Sequence, residues 1–254
     1  MIAPLLIKYH EGEHLTPAEW QVVQQMLVQC NVSMNEAVAL NIWSSDPEPL
    51  QEQLRHGNTY HYVSQTLDAL ATQLWYKTPD GEEVRHVLET LQDICYKAKP
   101  LAELYETGRR LAMPGMTTPI LSAIRKIHIA VNAENIITHI YSAMRKNPTQ
   151  DDIIVYRAIQ GKVIGNSVTN CCFVSTSRTK EASFIKYPGY NTLFELTIPQ
   201  NTHCIDITPF SNYDTVEAEV LLPPNVIAIT EQHANGYATY KGMVLEIEEL
   251  EEFG

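Results

Sequence analysis

An α+β fold, with helices first and strands second, follows from three features of the chain. Residues 1–150 carry helical periodicity, punctuated by capping signals. From Asp151 onward the pattern changes to short β-branched runs separated by Asn, Gly, Pro and Ser turns. Helices and strands do not alternate, as they do in parallel βαβ sheets. The expected organisation is a helical lobe over 1–150 and a β-rich core over 151–254.

Each helix has a local reason. TPAEWQVVQQMLVQC opens with Thr16 as N-cap, Pro17 at the first helical position and Glu19 closing a capping box. SMNEAVALNIW repeats the device with Ser33 and Glu36. Helical periodicity continues through TYHYVSQTLDALATQLWY, GEEVRHVLETLQDICYK and LAELYETGRRLA. MPGM at 113–116 is a break, after which TPILSAIRKIHIAV and AENIITHIYSAMRK resume. Asn147-Pro148 closes the last helix, because the residue before a proline is pushed out of the helical region. The predicted strands are DIIVYRAI, CCFVSTS, TLFELTIP, HCIDIT, EAEVLLPP, VIAIT and MVLEIEEL.

Composition narrows the function classes. The chain has 254 residues, 44% apolar and 19% charged, which suits a globular core. A net charge of −12 disfavours binding to nucleic acid or an anionic membrane. No stretch reaches the roughly 20 apolar residues of a membrane helix. The start, MIAPLLIKYHEGEH, has no basic n-region and no long apolar h-region, so no cleavable secretory signal is expected. The five cysteines, Cys30, Cys95, Cys171, Cys172 and Cys204, form no CxxC pair, so a zinc ribbon is not expected and they are read as reduced. Cys171 and Cys172 should face opposite sides of a strand.

Three short segments of the β-rich half carry the chemistry. VYRAI sets Arg157 inside an apolar strand, where a guanidinium is costly unless an anion meets it. Its fork of donors suits phosphate or carboxylate; taken alone, it also reads as an edge arginine in solvent. FVSTS sets Ser175 and Ser177 on one strand face and Thr176 on the other. Such hydroxyls orient a carboxylate or a ribose, though Ser and Thr are also ordinary at strand ends. TVEAEVLLPP brings Glu217 and Glu219 to one face if the strand starts near Glu217. Two like charges there raise each other's pKa and suit a cationic ligand; the plainer reading is a solvated loop end. Arg157 precedes Ser175 by roughly 20 residues and Glu219 follows by roughly 40–45, each on its own predicted strand.

In this order and spacing the motifs resemble the R-S-E clade of mono-ADP-ribosyltransferases of the arginine-specific type, which includes bacterial toxins and effectors. The marks are Arg157 on the first core strand, Ser175-Thr176-Ser177, and the ExE motif Glu217-Ala218-Glu219. Phe210, Ser211 and Tyr213 in the preceding loop and VLLPP after it match as well. The resemblance covers about the last 100 residues. It implies a core of two packed antiparallel or mixed sheets, NAD as substrate rather than a bound cofactor, and no metal.

The resemblance also implies roles. Arg157 holds a phosphate of NAD, Glu219 stabilises the cationic ribose, and Ser175 orients Glu219. Thr176 and Ser177 support the nicotinamide pocket. Glu217 meets an arginine acceptor, since Glu at the first ExE position goes with arginine and Gln with other acceptors. Tyr213 packs on the target protein or on the core. The stretch RTKEASFIKYPGYN is expected to form a loop over NAD. Within it Lys186 and Arg178 are candidates for phosphate, and Phe184, Tyr187 and Tyr190 for nicotinamide, without a choice among them. Tyr60, His61 and Tyr62 are candidates for the adenosine side, or helix-face core residues. The expected product is ADP-ribose on an arginine of a target protein, in a host. The expected enzyme is a monomer, delivered to host cytosol without a signal peptide or else cytoplasmic. The competing readings are an NAD glycohydrolase with the same site and an inactive binding module.

Overall fold

The computed structural model describes residues 2–78, 80–97, 99–112, 114–161, 163–185, 190–212, 218–235 and 237–246; the side chains of 94, 95, 183–185, 234, 235 and 237 are not described. Among the described residues, ten α-helices, one 3-10 turn at Thr208–Phe210 and eight strands follow in chain order. The helices are α1 (Ala3–His10), α2 (Pro17–Gln29), α3 (Met34–Ser45), α4 (Glu48–His56), α5 (Tyr60–Trp75), α6 (Gly81–Cys95), α7 (Leu101–Leu111), α8 (Thr117–Val131), α9 (Ala133–Arg145) and α10 (Lys180–Ile185). The strands are β1 (Ile153–Ile159), β2 (Ser167–Asn170), β3 (Val174–Ser177), β4 (Thr192–Ile198), β5 (Ile205–Asp206), β6 (Glu219–Leu222), β7 (Asn225–Asn235) and β8 (Tyr237–Glu246).

Helices α1 to α9 therefore precede the strands, as the α+β reading requires, and α10 alone lies among them, between β3 and β4. Both capping boxes form. The Thr16 amide donates to Glu19 Oε2 at 2.7 Å, and the Glu19 amide donates to Thr16 Oγ1 at 3.3 Å. Ser33 and Glu36 repeat the exchange at 2.6 and 3.3 Å. The MPGM break separates α7 from α8, with Gly115 at a φ of 80°, which glycine tolerates without cost. After α9, the Asn147 side chain donates back to the Ala143 carbonyl at 2.9 Å and closes the helix end.

The chain forms two compact units that interleave in sequence. One comprises Met1–Ala3, Val23–Ser45 and Thr138–Gly254; the other comprises Pro4–Val22 and Asp46–Ile137. The change from helix to strand at Asp151 thus lies inside the first unit. The second unit is helical. Its core gathers Leu70, Leu74, Leu91, Leu104, Ile120, Ile124 and Ile127 from α5, α6, α7 and α8.

In the first unit the strands follow the order β2-β7-β8-β4-β1-β3-β6-β5. All pairs are antiparallel except β4 with β8. Instead of the two expected packed sheets, the strands run in one mixed eight-stranded order, in which one residue pair, Tyr156 opposite Ser177, joins β2-β7-β8-β4-β1 to β3-β6-β5. Val155, Phe194, Leu196 and Tyr240 from one half share a core with Val174, Val220 and Leu222 from the other. β4 is buried on both faces, which is why TLFELTI carries so little polar alternation. Gly242 of β8 sits where a Cβ would come within 2.8 Å of Ile227 Cγ2 and 2.9 Å of the Ala228 carbonyl, so the close approach demands glycine.

α3 is buried almost all round: Glu36, Ala37, Leu40, Asn41, Ile42, Trp43 and Ser44 are all inside. Its polar side chains are satisfied within the same unit. Asn41 Nδ2 donates to the Phe210 carbonyl at 2.8 Å, and Ser44 Oγ lies 2.7 Å from Ser211 Oγ. Glu36, 2% exposed, receives Lys146 Nζ at 2.7 Å and the Ser142 hydroxyl. Burial pushes the Glu36 carboxyl up, but Lys146, Ser142 and Ser33 together bring it below its ordinary value.

Candidate active site

The three motifs converge on adjacent strands. β1 carries Arg157, β3 carries Ser175, Thr176 and Ser177, and β6 begins at Glu219. β1 pairs with β3, and β3 pairs with β6. Ser177 stands directly opposite Glu219, and Ser175 opposite Leu221. Paired residues share a face, so Ser175, Ser177 and Glu219 line one side, with Ser175 the diagonal neighbour of Glu219. Thr176 takes the other side, as the alternation predicts. It is 4% exposed, and its hydroxyl donates to the Val220 carbonyl at 2.7 Å.

Arg157 of β1 reaches the backbone of the serine strand. Its register partner on β4 is Phe194, so it follows Val155 along the core side of the strand. Its Nη1 donates to the main-chain carbonyl of Ser175 at 3.2 Å. The link between the arginine and the serine motif therefore runs through backbone. Tyr156, rather than Arg157, is the β1 residue opposite Ser177.

The Ser175 side chain has a partner that the sequence did not indicate. Trp43 of α3, 2% exposed, donates its indole N–H to Ser175 Oγ at 3.2 Å. The Trp43 ring stands edge-on to Phe173, at 5.2 Å between centroids, and Phe173 in turn packs on Tyr141 at 4.8 Å. Ser177 turns the chain after β3: its Oγ accepts the Thr179 amide at 3.1 Å.

Two expectations are corrected. The shared face of Glu217 and Glu219 assumed a strand already begun at Glu217. β6 starts at Glu219, and Ala218 has a φ of 39°, left-handed backbone rather than extended. Strand alternation does not pass through Ala218. Its carbonyl instead accepts the Arg178 amide at 3.0 Å, and the Glu219 carbonyl accepts the Ile207 amide at 3.0 Å. The stretch after STS is also not loop throughout, since Lys180–Ile185 form α10. The Ser177–Thr179 turn starts this helix, and Ala182 buries its inner side.

The remaining candidates divide. Glu217, Tyr213, Lys186 and Tyr187 lie outside the described residues, as does the side chain of Phe184. Arg178 approaches Asp206, Nε to Oδ2 3.6 Å. In the helical unit Tyr60 is exposed, and His61 Nε2 lies 2.8 Å from Gln65 Nε2. Tyr62 lines a pocket of about 240 Å³ with Gln65, Thr66 and Lys126. Of the adjacent cysteines, Cys171 is exposed and Cys172 buried, but both lie in a bend before β3 with their sulfurs 3.9 Å apart, so strand alternation does not set their directions. No helix among the described residues is long and apolar enough to cross a membrane.

Comparison with known families bears on these strands. Residues 158–235 match the ADP-ribosyltransferase exoenzyme family. The match contains the STS and ExE motifs and begins one residue after Arg157. The family reading drawn from the motifs and this match agree. ADP-ribosyltransferases use NAD as a substrate and not as a resident group. Among solved structures, Plx2a, an ADP-ribosyltransferase toxin from Paenibacillus larvae, is similar at 14% identity over 96% of both chains, with a TM-score of 0.47. The Clostridium limosum C3 exoenzyme is 14% identical over 88% of this chain and 91% of its own, with a TM-score of 0.49. C3stau2 from S. aureus, solved with NAD, is 13% identical over 92% and 98%, with a TM-score of 0.48. No curated protein matches in sequence.

Proposed function

We propose that the chain is a mono-ADP-ribosyltransferase that cleaves NAD and transfers ADP-ribose to an arginine of a target protein, releasing nicotinamide. The observation that carries the reading is the adjacency of the three motif strands, with Ser177 paired to Glu219 and the Arg157 guanidinium on the Ser175 carbonyl. The family match over the same segment supports it.

The chemistry follows from the residue types. Breaking the bond between ribose C1′ and the nicotinamide nitrogen sends the electron pair to nicotinamide, which leaves neutral. Positive charge develops on the ribose. Glu219 faces that charge and stabilises it electrostatically, as carboxylates do in glycoside cleavage. Arg157 holds a phosphate of the NAD pyrophosphate. The Ser175 and Ser177 hydroxyls share the face of Glu219 and keep its carboxylate in position. Glu217 holds the acceptor guanidinium and takes its proton as a guanidine nitrogen bonds to C1′; an arginine is otherwise fully protonated and a poor nucleophile. Tyr213 contributes to acceptor recognition, and Phe184 and Lys186 to the NAD side. We assign the target protein to a host and the enzyme to the effector or toxin class.

The test is product analysis. Purified protein is incubated with NAD and agmatine, and separately with host lysate followed by mass spectrometry. ADP-ribose on agmatine and on protein arginine is the expected result. Free ADP-ribose alone identifies an NAD glycohydrolase instead, and no NAD binding in a calorimetric titration refutes the enzymatic reading.

A further inference from the structure

We infer that Trp43 is a positioning residue for the reaction, acting through Ser175; the inference rests on the function proposed above. An indole N–H only donates. Its contact with Ser175 Oγ therefore fixes that oxygen as an acceptor toward α3. The Ser175 proton is then directed away from Trp43, and the hydroxyl presents itself as a donor to the strand face it shares with Glu219. Glu219 is its diagonal neighbour, about 7–8 Å away in such a ladder and within reach of a long side chain. A serine hydroxyl that rotated freely could instead accept from a neighbouring donor. Trp43 occupies one of the two lone pairs and keeps the O–H from turning toward α3, and a hydrogen bond received by an oxygen strengthens the one it gives.

The scaffold around Trp43 suits such a duty. The ring is 2% exposed and braced edge-on by Phe173, which is two residues before Ser175. The helix that carries it is tied down by Asn41 to the Phe210 carbonyl, by Ser44 to Ser211, and by Glu36 to Lys146. These contacts hold α3 on both sides of Trp43 and leave the indole little freedom to withdraw. A helix from the N-terminal part of the chain thereby sets the donor direction of a motif 132 positions away.

Trp43→Phe keeps an aromatic ring and removes only the N–H. The expected result is a kcat for NAD turnover lowered about 5- to 10-fold, the size of one neutral hydrogen bond, with KM for NAD within twofold. A double-mutant cycle with Ser175→Ala decides whether the path runs through the serine: once Ser175 is Ala, Trp43→Phe should cost no further rate. Unchanged kcat in Trp43→Phe, or an equal loss in both backgrounds, overturns the inference. Should Trp43→Phe fail to fold, the Trp43 indole N–H resonance of the intact chain serves. It should move in Ser175→Ala and in Glu219→Gln, and a resonance unmoved by Glu219→Gln overturns the chain of contacts. Glu219→Gln run beside these variants keeps the two ideas apart. Retained turnover there overturns the site reading and the Trp43 role with it, whereas lost turnover with a silent Trp43→Phe overturns the Trp43 role alone.

Discussion

Acid should destabilise the helical unit through two half-buried histidines. His10 of α1 and His128 of α8 lie 5.7 Å apart between ring centroids, and the buried atoms His10 Nε2 and His128 Nδ1 have no hydrogen-bond partner among the described residues. Burial lowers the His10 pKa from 6.5 to about 4, with His128 and the Arg125 charge adding to the effect. His128 is lowered as well, by burial, against a backbone contact at Lys99 that raises it. The sign follows from linkage. Between pH 6.5 and about 4 the unfolded chain binds a proton at His10 that the folded chain refuses, so stability falls as pH falls. For His10 alone the loss between pH 7 and pH 5 is about 2 kcal/mol, and His128 adds to it with the same sign. Urea unfolding at pH 7, 6 and 5, followed by circular dichroism, measures it. Replacing His10 with Leu should remove about 2 kcal/mol of the difference between pH 7 and pH 5. A His10→Leu chain that loses as much stability on acidification as the wild type refutes the reasoning.

Glu217→Gln is expected to spare NAD hydrolysis and to remove transfer to agmatine; equal loss of both reactions denies Glu217 its acceptor role. Gly242→Ala forces a methyl group toward the Ala228 carbonyl and Ile227, and should cost about 1–3 kcal/mol in chemical denaturation, with a neutral result contradicting the close approach. Lys146→Met leaves the buried Glu36 carboxylate without its cation. Because the lysine side chain is 44% exposed, the loss should be about 2 kcal/mol, below that of a fully buried pair. Glu36→Gln in the same chain should recover much of that loss, and a double variant no more stable than Lys146→Met would deny that the unpaired charge is the cause.

What could be read from the sequence was what local chemistry decides. The capping boxes at Thr16 and Ser33 are complete within four residues, so their helices were legible from end to end. α1 and α4 were not legible, because APLLIKYH and EPLQEQLRH are too short to display a clear period. β2, SVTN, has one apolar residue among four and gives no strand signal of its own. The order of the motif strands was legible because each motif is short and chemically distinctive. The register between them was not, since pairing Ser177 with both Tyr156 and Glu219 depends on contacts far apart in the chain. Ala218 misled for a simple reason: alanine rarely adopts a positive φ, so nothing in EAE announces a left-handed residue. The bond from Trp43 to Ser175 had no local signature at all.

The strand order ends in two short members, β2 with four residues and β5 with two. A sheet edge is a template on which another chain can add a strand, and its danger grows with its length. Here β8 lies between β7 and β4, and β2 pairs with Asn225–Ala228 of the longer β7. The outermost ladders offer only a few backbone groups to a passing copy. The two ends of the strand order are thus poor templates for further strands, an advantage for any chain that must stay dispersed at high concentration while it folds.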